Sequence, residues 1–203
     1  MSREPLLFVF DMGGVITRER DVSARLLQYL GFEGDNLRQL GPRSAEAIEA
    51  HVRGEIDEKA FWEVVEKERG VELTKEPLLG KFFDPIVDTP TLKIVKKLKE
   101  SGKRIICGTN VIDSQYEILQ GRKLYDIFDK VYASNEMHLS KPDVSFYEYI
   151  LREEGIPAEK IFFTDDVVVN IEAAKSLGML AFQYFDAMTL FRQLKTLEVA
   201  LCR

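Results

Sequence analysis

Asp11 lies in the segment FDMGGV, directly after a short apolar run and ahead of two glycines. Thr109 and Asn110 follow a second apolar run, Asp165 and Asp166 follow a third, and Lys141 precedes a proline in SKP. Carboxylates, a hydroxyl, an amide and a lysine, each just past an apolar run or at the head of a helix, suit phosphoryl transfer. A carboxylate nucleophile approaches a phosphate dianion only where positive charge and hydrogen-bond donors offset the repulsion. Asp11, Asp165 and Asp166 carry three negative charges, which one Mg²⁺ and Lys141 would balance before substrate enters. Without the cation, clustered carboxylates repel and at least one pKa rises. Gly13 and Gly14 allow a sharp turn that brings backbone amides to the phosphate. Thr109 is placed to donate its hydroxyl to a phosphoryl oxygen, and Pro142 restricts Lys141 to extended backbone.

Short apolar runs bounded by turn residues predict strands at Leu6 to Phe10, Arg104 to Cys107, Lys130 to Ala133, Ile161 to Phe163 and Leu180 to Tyr184. They are apolar on both faces, as in parallel strands covered by helices above and below. Between them the periodicity predicts helices: one from Thr89 as N-cap with Pro90 at the first helical position, one from Asp143 to Glu154 closed by Gly155, and one from Val168 to Leu177 closed by Gly178. This alternation predicts an α/β fold, a Rossmann-like parallel sheet with helices on both faces. Roughly seventy residues between the first two strands carry only helical periodicity, too many for a βα connection. They read as an insertion with helices at Asp21 to Leu30, Ser44 to Arg53 and Asp57 to Arg69, stopped by Gly31, Gly54 and Gly70. In such a sheet, ligands bind beyond the carboxyl ends of the strands, where the candidate residues fall.

In order, FDMGGVI, GTN, SKPD and FFTDDVVVNIEAAKSLG resemble the four motifs of the haloacid dehalogenase-like (HAD) superfamily over nearly the whole chain. The branch it most resembles is the sugar-phosphate phosphatases similar to glucose-1-phosphatase, with kinship to the phosphatase-like domain of epoxide hydrolases. HVRGEIDEKAFWEVV resembles the helical cap of that branch. The resemblance implies a core of residues 1–15 and 86–203, a cap inserted at 16–85, and hydrolysis of a small phosphate monoester through an aspartyl-phosphate on Asp11. It implies that the Gly13 carbonyl and the Asp166 carboxylate bind Mg²⁺ together with Asp11, that Asp165 supports the metal, and that Thr109, Lys141 and Asn110 hold the phosphate. One departure stands out: most phosphatases of the superfamily carry a general acid and base two residues after the nucleophile, where this chain has Gly13.

Taken singly, the same residues have plainer readings. An aspartate after a strand caps a helix or shapes a turn, Lys141 alone would be a solvated lysine, and His51 and His138 read as packing or surface residues. Arg18, Arg20, Arg43 and Arg53 are candidates in the insertion for reading an anionic substrate. A signalling receiver domain would place its acidic pair first and its lysine last, the reverse of the order here. A metal-independent dehalogenase would gain nothing from the acidic pair, a phosphomutase would need the absent acid, and a binding protein without turnover is the alternative that Gly13 leaves open.

The 203 residues are 45% hydrophobic and 31% charged, enough to bury a core. The net charge of -6 and the lack of a basic, aromatic-interleaved stretch argue against nucleic acid as a partner. No segment reads as a signal peptide or membrane span, so a cytoplasmic protein is expected, with a small-molecule phosphate ester as partner and an oligomeric state that composition does not give. Cys107 and Cys202, far apart and without metal-ligand spacing, read as structural free thiols.

Overall fold

A computed structural model describes residues 4–18, 22–73 and 78–199. Strands β1 (Leu7–Phe10), β2 (Arg104–Thr109), β3 (Lys130–Ala133), β4 (Ile161–Asp165) and β5 (Leu180–Gln183) form one parallel sheet in the order β3-β2-β1-β4-β5. Side chains alternate across a strand, and here both sets are apolar. Phe8, Phe10, Ile105, Cys107 and Phe162 enter one hydrophobic cluster. Leu7, Val9, Ile106, Ile161 and Phe163 enter the other. Cys107 is a buried free thiol, as expected, and Cys202 lies outside the described residues.

Between β1 and β2 come α1 (Ser23–Tyr29), a 3₁₀ turn (Leu37–Leu40), α2 (Pro42–Val52), α3 (Glu58–Arg69), α4 (Leu78–Phe82) and α5 (Thr89–Glu100). The remaining helices are α6 (Asp113–Gly121), α7 (Ser134–Met137), α8 (Val144–Glu154), α9 (Val168–Ser176) and α10 (Ala187–Thr196). Val95 and Leu98 of α5 and Leu190 and Leu194 of α10 pack into the first cluster, with the inserted helices' Leu26, Ile48, Phe61 and Val65. Phe146 and Ile150 of α8 and Ile171 and Ala174 of α9 pack into the second. Helices therefore cover both faces of the sheet.

Several boundaries differ from the sequence reading. Asp88, not Thr89, caps α5: its carboxylate accepts from the Thr91 N–H at 3.0 Å and from Arg18 Nε at 3.1 Å, and Thr89 becomes the first helical residue. Helix α2 begins at Pro42 rather than Ser44, because Glu68 of α3 accepts from the Arg43 and Ser44 N–H groups at 3.1 and 2.7 Å and from the Ser44 hydroxyl at 2.6 Å. A tertiary carboxylate thus satisfies amides that no local cap reaches. Asp57 caps α3 as expected, and Gly70 and Gly155 end α3 and α8 in the left-handed conformation that glycine adopts without strain. The helix expected from Asp21 begins at Ser23, Asp21 itself lying outside the described residues.

The insertion leaves and rejoins the sheet side by side. The Arg18 N–H donates to the Ile86 carbonyl and the Asp88 N–H to the Ile16 carbonyl, both at 2.8 Å, with a bridge between Thr17 and Val87. Its far end docks on α7. The Ser134 hydroxyl accepts from the Val111 N–H at 2.9 Å and donates to the Val52 carbonyl at 2.6 Å, and His138 Nδ1 meets the Arg53 carbonyl at 2.8 Å. Among the described residues, no helix is long and apolar enough to cross a membrane.

Candidate active site

Parallel pairing of β1 with β4 in the register Phe10↔Thr164 sets the next residue of each strand, Asp11 and Asp165, side by side. The Asp11 N–H continues the ladder, donating to the Thr164 carbonyl at 3.0 Å. One oxygen from each of Asp11, Asp165 and Asp166 lies within 4.8 Å of the others. Helix α9 behind them has Val167 at its N-cap and no side-chain cap, so the acidic pair does not cap it in the ordinary way.

Lys141 is buried and sits between two of these carboxylates. Its ammonium donates to Asp165 Oδ2 at 2.6 Å and to the Gly108 carbonyl at 2.9 Å, and lies 2.9 Å from Asp11 Oδ1. Burial alone would lower its pKa, but Asp11 and Asp165 override burial and hold it above the ordinary lysine range. Asn110 fixes the lysine's backbone in both directions: its side-chain amide donates to the Lys141 carbonyl at 2.8 Å, and its Oδ1 accepts the Lys141 N–H at 2.9 Å. The Lys141–Pro142 peptide is cis.

Asp165, fully buried, spends its oxygens on neighbours. Beside Lys141, it accepts from the Val167 N–H at 2.8 Å and from the Asn170 amide at 3.0 and 3.1 Å. Asn170 thus orients Asp165, a role its spacing alone does not show. Asp11 is the poorly balanced member. Burial raises its pKa to about 7 against the pull of Lys141, with Asp165 and Asp166 adding to the rise.

The turn after β1 is tight: the Ile16 and Thr17 N–H groups both donate to the Met12 carbonyl at 2.9 Å, and the Gly14 N–H donates to the Thr17 carbonyl at 2.7 Å. Gly14 has φ +77°, and a Cβ there would stand 2.6 Å from the Asp166 carboxyl carbon. The glycine is therefore what lets Asp166 lie against the loop. Three carboxylates facing one ammonium leave net negative charge on oxygen ligands, so the residues present fit a hard divalent cation.

A cavity of about 520 Å³ opens over this cluster, with Asp11, Gly13, Thr109, Asn110 and Lys141 in its walls. Thr109, the last residue of β2, is buried, and its hydroxyl makes only a long 3.4 Å bond to the Asn110 carbonyl. From the insertion come Asn36, Arg38 and Phe83, and from α6 comes Gln115. None of these four was singled out in the sequence. Arg38 is held by Glu49 through Nε at 2.7 Å, a pairing across eleven positions that no local pattern signals. Of the arginines that were singled out, Arg18 pairs with Asp88 and Arg53 with Glu55, Arg43 does not line the cavity, and Arg20 lies outside the described residues. His51 is a packing residue: it is buried, its Nδ1 meets the Ile56 carbonyl at 2.9 Å, and its ring stacks on Phe61.

Known proteins align with this arrangement. The drimenol cyclase drtB of Aspergillus calidoustus is 30% identical over 112 residues, 53% of this chain and only 21% of its own length. The D-ribitol-5-phosphate phosphatase of Bacteroides thetaiotaomicron is 27% identical over 187 residues, 86% of this chain and 89% of the relative. Among solved structures, the HAD family enzyme bt-2542 of Bacteroides thetaiotaomicron superposes with a TM-score of 0.77 at 20% identity, over 93% of this chain and 99% of that one. The same enzyme has been solved in complex with magnesium and inorganic phosphate, with a TM-score of 0.71 at 20% identity over 89% of this chain and 94% of that one. Residues 6–178 match the family described as haloacid dehalogenase-like hydrolase, from the strand that carries Asp11 through the helix behind Asp166. The chain belongs to the haloacid dehalogenase-like hydrolases.

Proposed function

We propose that this chain is a Mg²⁺-dependent phosphatase that hydrolyses a small phosphate monoester through an aspartyl-phosphate on Asp11, with sugar phosphates the first class to try. The observation that carries this reading is Asp11 itself, in the wall of the cavity, 2.9 Å from a buried lysine and clustered with two further carboxylates. An Asp11 oxygen attacks phosphorus, the bond to the alcohol oxygen breaks, and water then releases phosphate and restores the carboxylate. Lys141, fixed by Asp165 and Asn110, keeps positive charge beside the attacking carboxylate and takes a phosphoryl oxygen as charge shifts onto it. Thr109 and the Gly13 N–H bind the remaining oxygens, the Gly14 N–H being committed to the Thr17 carbonyl.

Asp11, the Gly13 carbonyl and Asp166 would hold the metal, whose double charge would offset repulsion between the Asp11 carboxylate and the phosphate. Asp165, committed to Lys141, Val167 and Asn170, orders these groups from behind. Among the described residues lining the cavity, the ionisable ones are Asp11, Arg38 and Lys141, with no second carboxylic acid and no imidazole, so water protonates the departing alcohol. Residues 16–85 act as a cap that closes over the substrate. The paired segments Ile16–Arg18 and Ile86–Asp88 support this reading, since they bring both connections to one place as a hinge requires, and movement would open the contacts of Val52 and Arg53 with Ser134 and His138.

Phosphate release from a panel of sugar phosphates and p-nitrophenyl phosphate tests the proposal. Wild type with Mg²⁺ is expected to release phosphate, with activity lost in EDTA and reduced at least about 10³-fold in Asp11→Asn. No release from any compound would favour a binding protein without turnover, which Gly13 alone supports. Release that survives Asp11→Asn would refute the nucleophile.

A further inference from the structure

The catalytic cavity continues past its polar wall. A second cavity of about 150 Å³ adjoins it, and the two share Asn36, Arg38, Asn110, Val111 and Gln115. Beyond this collar the lining changes character. The inserted unit contributes Val22, Leu37, Ile48, Val52 and Leu79, and the segment after β2 contributes Ile112, while Ser23 brings one hydroxyl. The chamber thus lies between insertion and core and borders the cavity above Asp11 across the shared residues; beyond that collar its described lining is aliphatic apart from Ser23.

That change of lining discriminates between ligands. The Asn36 and Gln115 amides and the Arg38 guanidinium of the collar can bond hydroxyl groups close to the phosphate, Asn110 being turned to the Lys141 backbone. A polyol reaching farther in would meet Ser23 as the one polar side chain of the described lining beyond the collar, whereas an aliphatic group would lose no hydrogen bonds to water by entering. By volume alone, a space of this size takes a guest of about benzene's bulk.

We infer that the alcohol part of the substrate ends in an aliphatic group of about five carbons, which fills this chamber while the phosphate rests against Asp11 and Lys141. The inference relies on the phosphatase reading for the phosphate end and on the chamber alone for the aliphatic end.

Calorimetric titration of the Mg²⁺-loaded protein with n-alkylphosphonates of increasing length, from methyl to dodecyl, tests it, because their C–P bond resists hydrolysis and affinity is read whether or not the chain turns phosphate over. Kd is expected to change little while the alkyl chain crosses the cavity and its polar collar, then to fall about fourfold per methylene over about five carbons and level. Ile48→Trp, which fills the chamber, should abolish the trend. Should that variant fail to fold, the milder Val52→Leu should stop the trend about one carbon earlier. A Kd independent of chain length, or a trend that survives a folded chamber-filling variant, overturns the inference. Hydrolysis of the matching alkyl phosphates by wild type and Asp11→Asn separates the two readings: a chain-length trend without Asp11-dependent release keeps the chamber and removes the phosphatase.

Discussion

Asp11 carries the least settled charge in the site. Its ordinary pKa is 3.8, and in the folded chain burial pushes it up to about 7, Lys141 offsetting only part of the rise and Asp165 and Asp166 adding to it. Between those values the folded protein keeps a proton that the unfolded chain has lost. The resulting stabilisation is complete below the unfolded value and disappears as pH rises through about 7, leaving a strained carboxylate in the metal-free fold. Asp11→Asn removes that charge while its amide oxygen still accepts from Lys141. In EDTA at pH 8 the variant is expected to melt about 3–6 °C above wild type, the gap closing toward pH 5. A variant that melts lower at pH 8 would show that the attraction of Lys141 outweighs the burial of Asp11.

At the level of elements, two glycines with nearly the same backbone separate packing from conformation. Gly54, just past α2, has φ +64°, and a Cβ there would stand 2.2 Å from the Asn135 carbonyl oxygen. Gly70, at the end of α3, has φ +65° with nothing within 4 Å. Gly70→Ala should therefore cost only the left-handed strain, about 1 kcal/mol. Gly54→Ala adds a backbone clash where the insertion meets α7 and should cost about 2–4 kcal/mol by urea denaturation. Equal costs would mean that this joint is loose. The same joint holds the Ser134 hydroxyl between Val52 and Val111, two residues beyond Thr109, so its fit bears on how the insertion sits over the cavity.

For the molecule as a whole, the proposed metal would link chemistry to stability. The β1 turn, the end of β4 and the Lys141 loop come together at a cluster whose charges do not balance, so a cation bound only by the folded state stabilises all three at once. At a Mg²⁺ concentration about 100 times Kd, stability at pH 8 is expected to rise by about 2.7 kcal/mol, or roughly 5–11 °C in Tm. Differential scanning calorimetry with Mg²⁺ and with EDTA measures this directly. A Tm insensitive to Mg²⁺, Mn²⁺ and Ca²⁺ alike would remove the metal from the reading.

Local chemistry determined a good deal of this protein. Runs apolar on both faces mark five strands because only a covered parallel sheet buries both sides, and glycines mark helix ends because they take left-handed φ without strain. Singly, Asp11, Thr109, Lys141, Asp165 and Asp166 read as caps, turns or a solvated lysine; they stand out as a set, because the carboxylates and Thr109 follow strands at the sheet end where ligands bind and Lys141 heads a helix in SKP. Tertiary structure decided what depends on partners distant in the chain. Glu68 moves the start of α2, Asn170 and Lys141 occupy Asp165, Asn110 turns to the Lys141 backbone, and Arg38 reaches the cavity on the arm of Glu49. None of these follows from periodicity or spacing, because each is a hydrogen bond or ion pair whose geometry exists only after β1, β2 and β4 have paired and the inserted helices have docked.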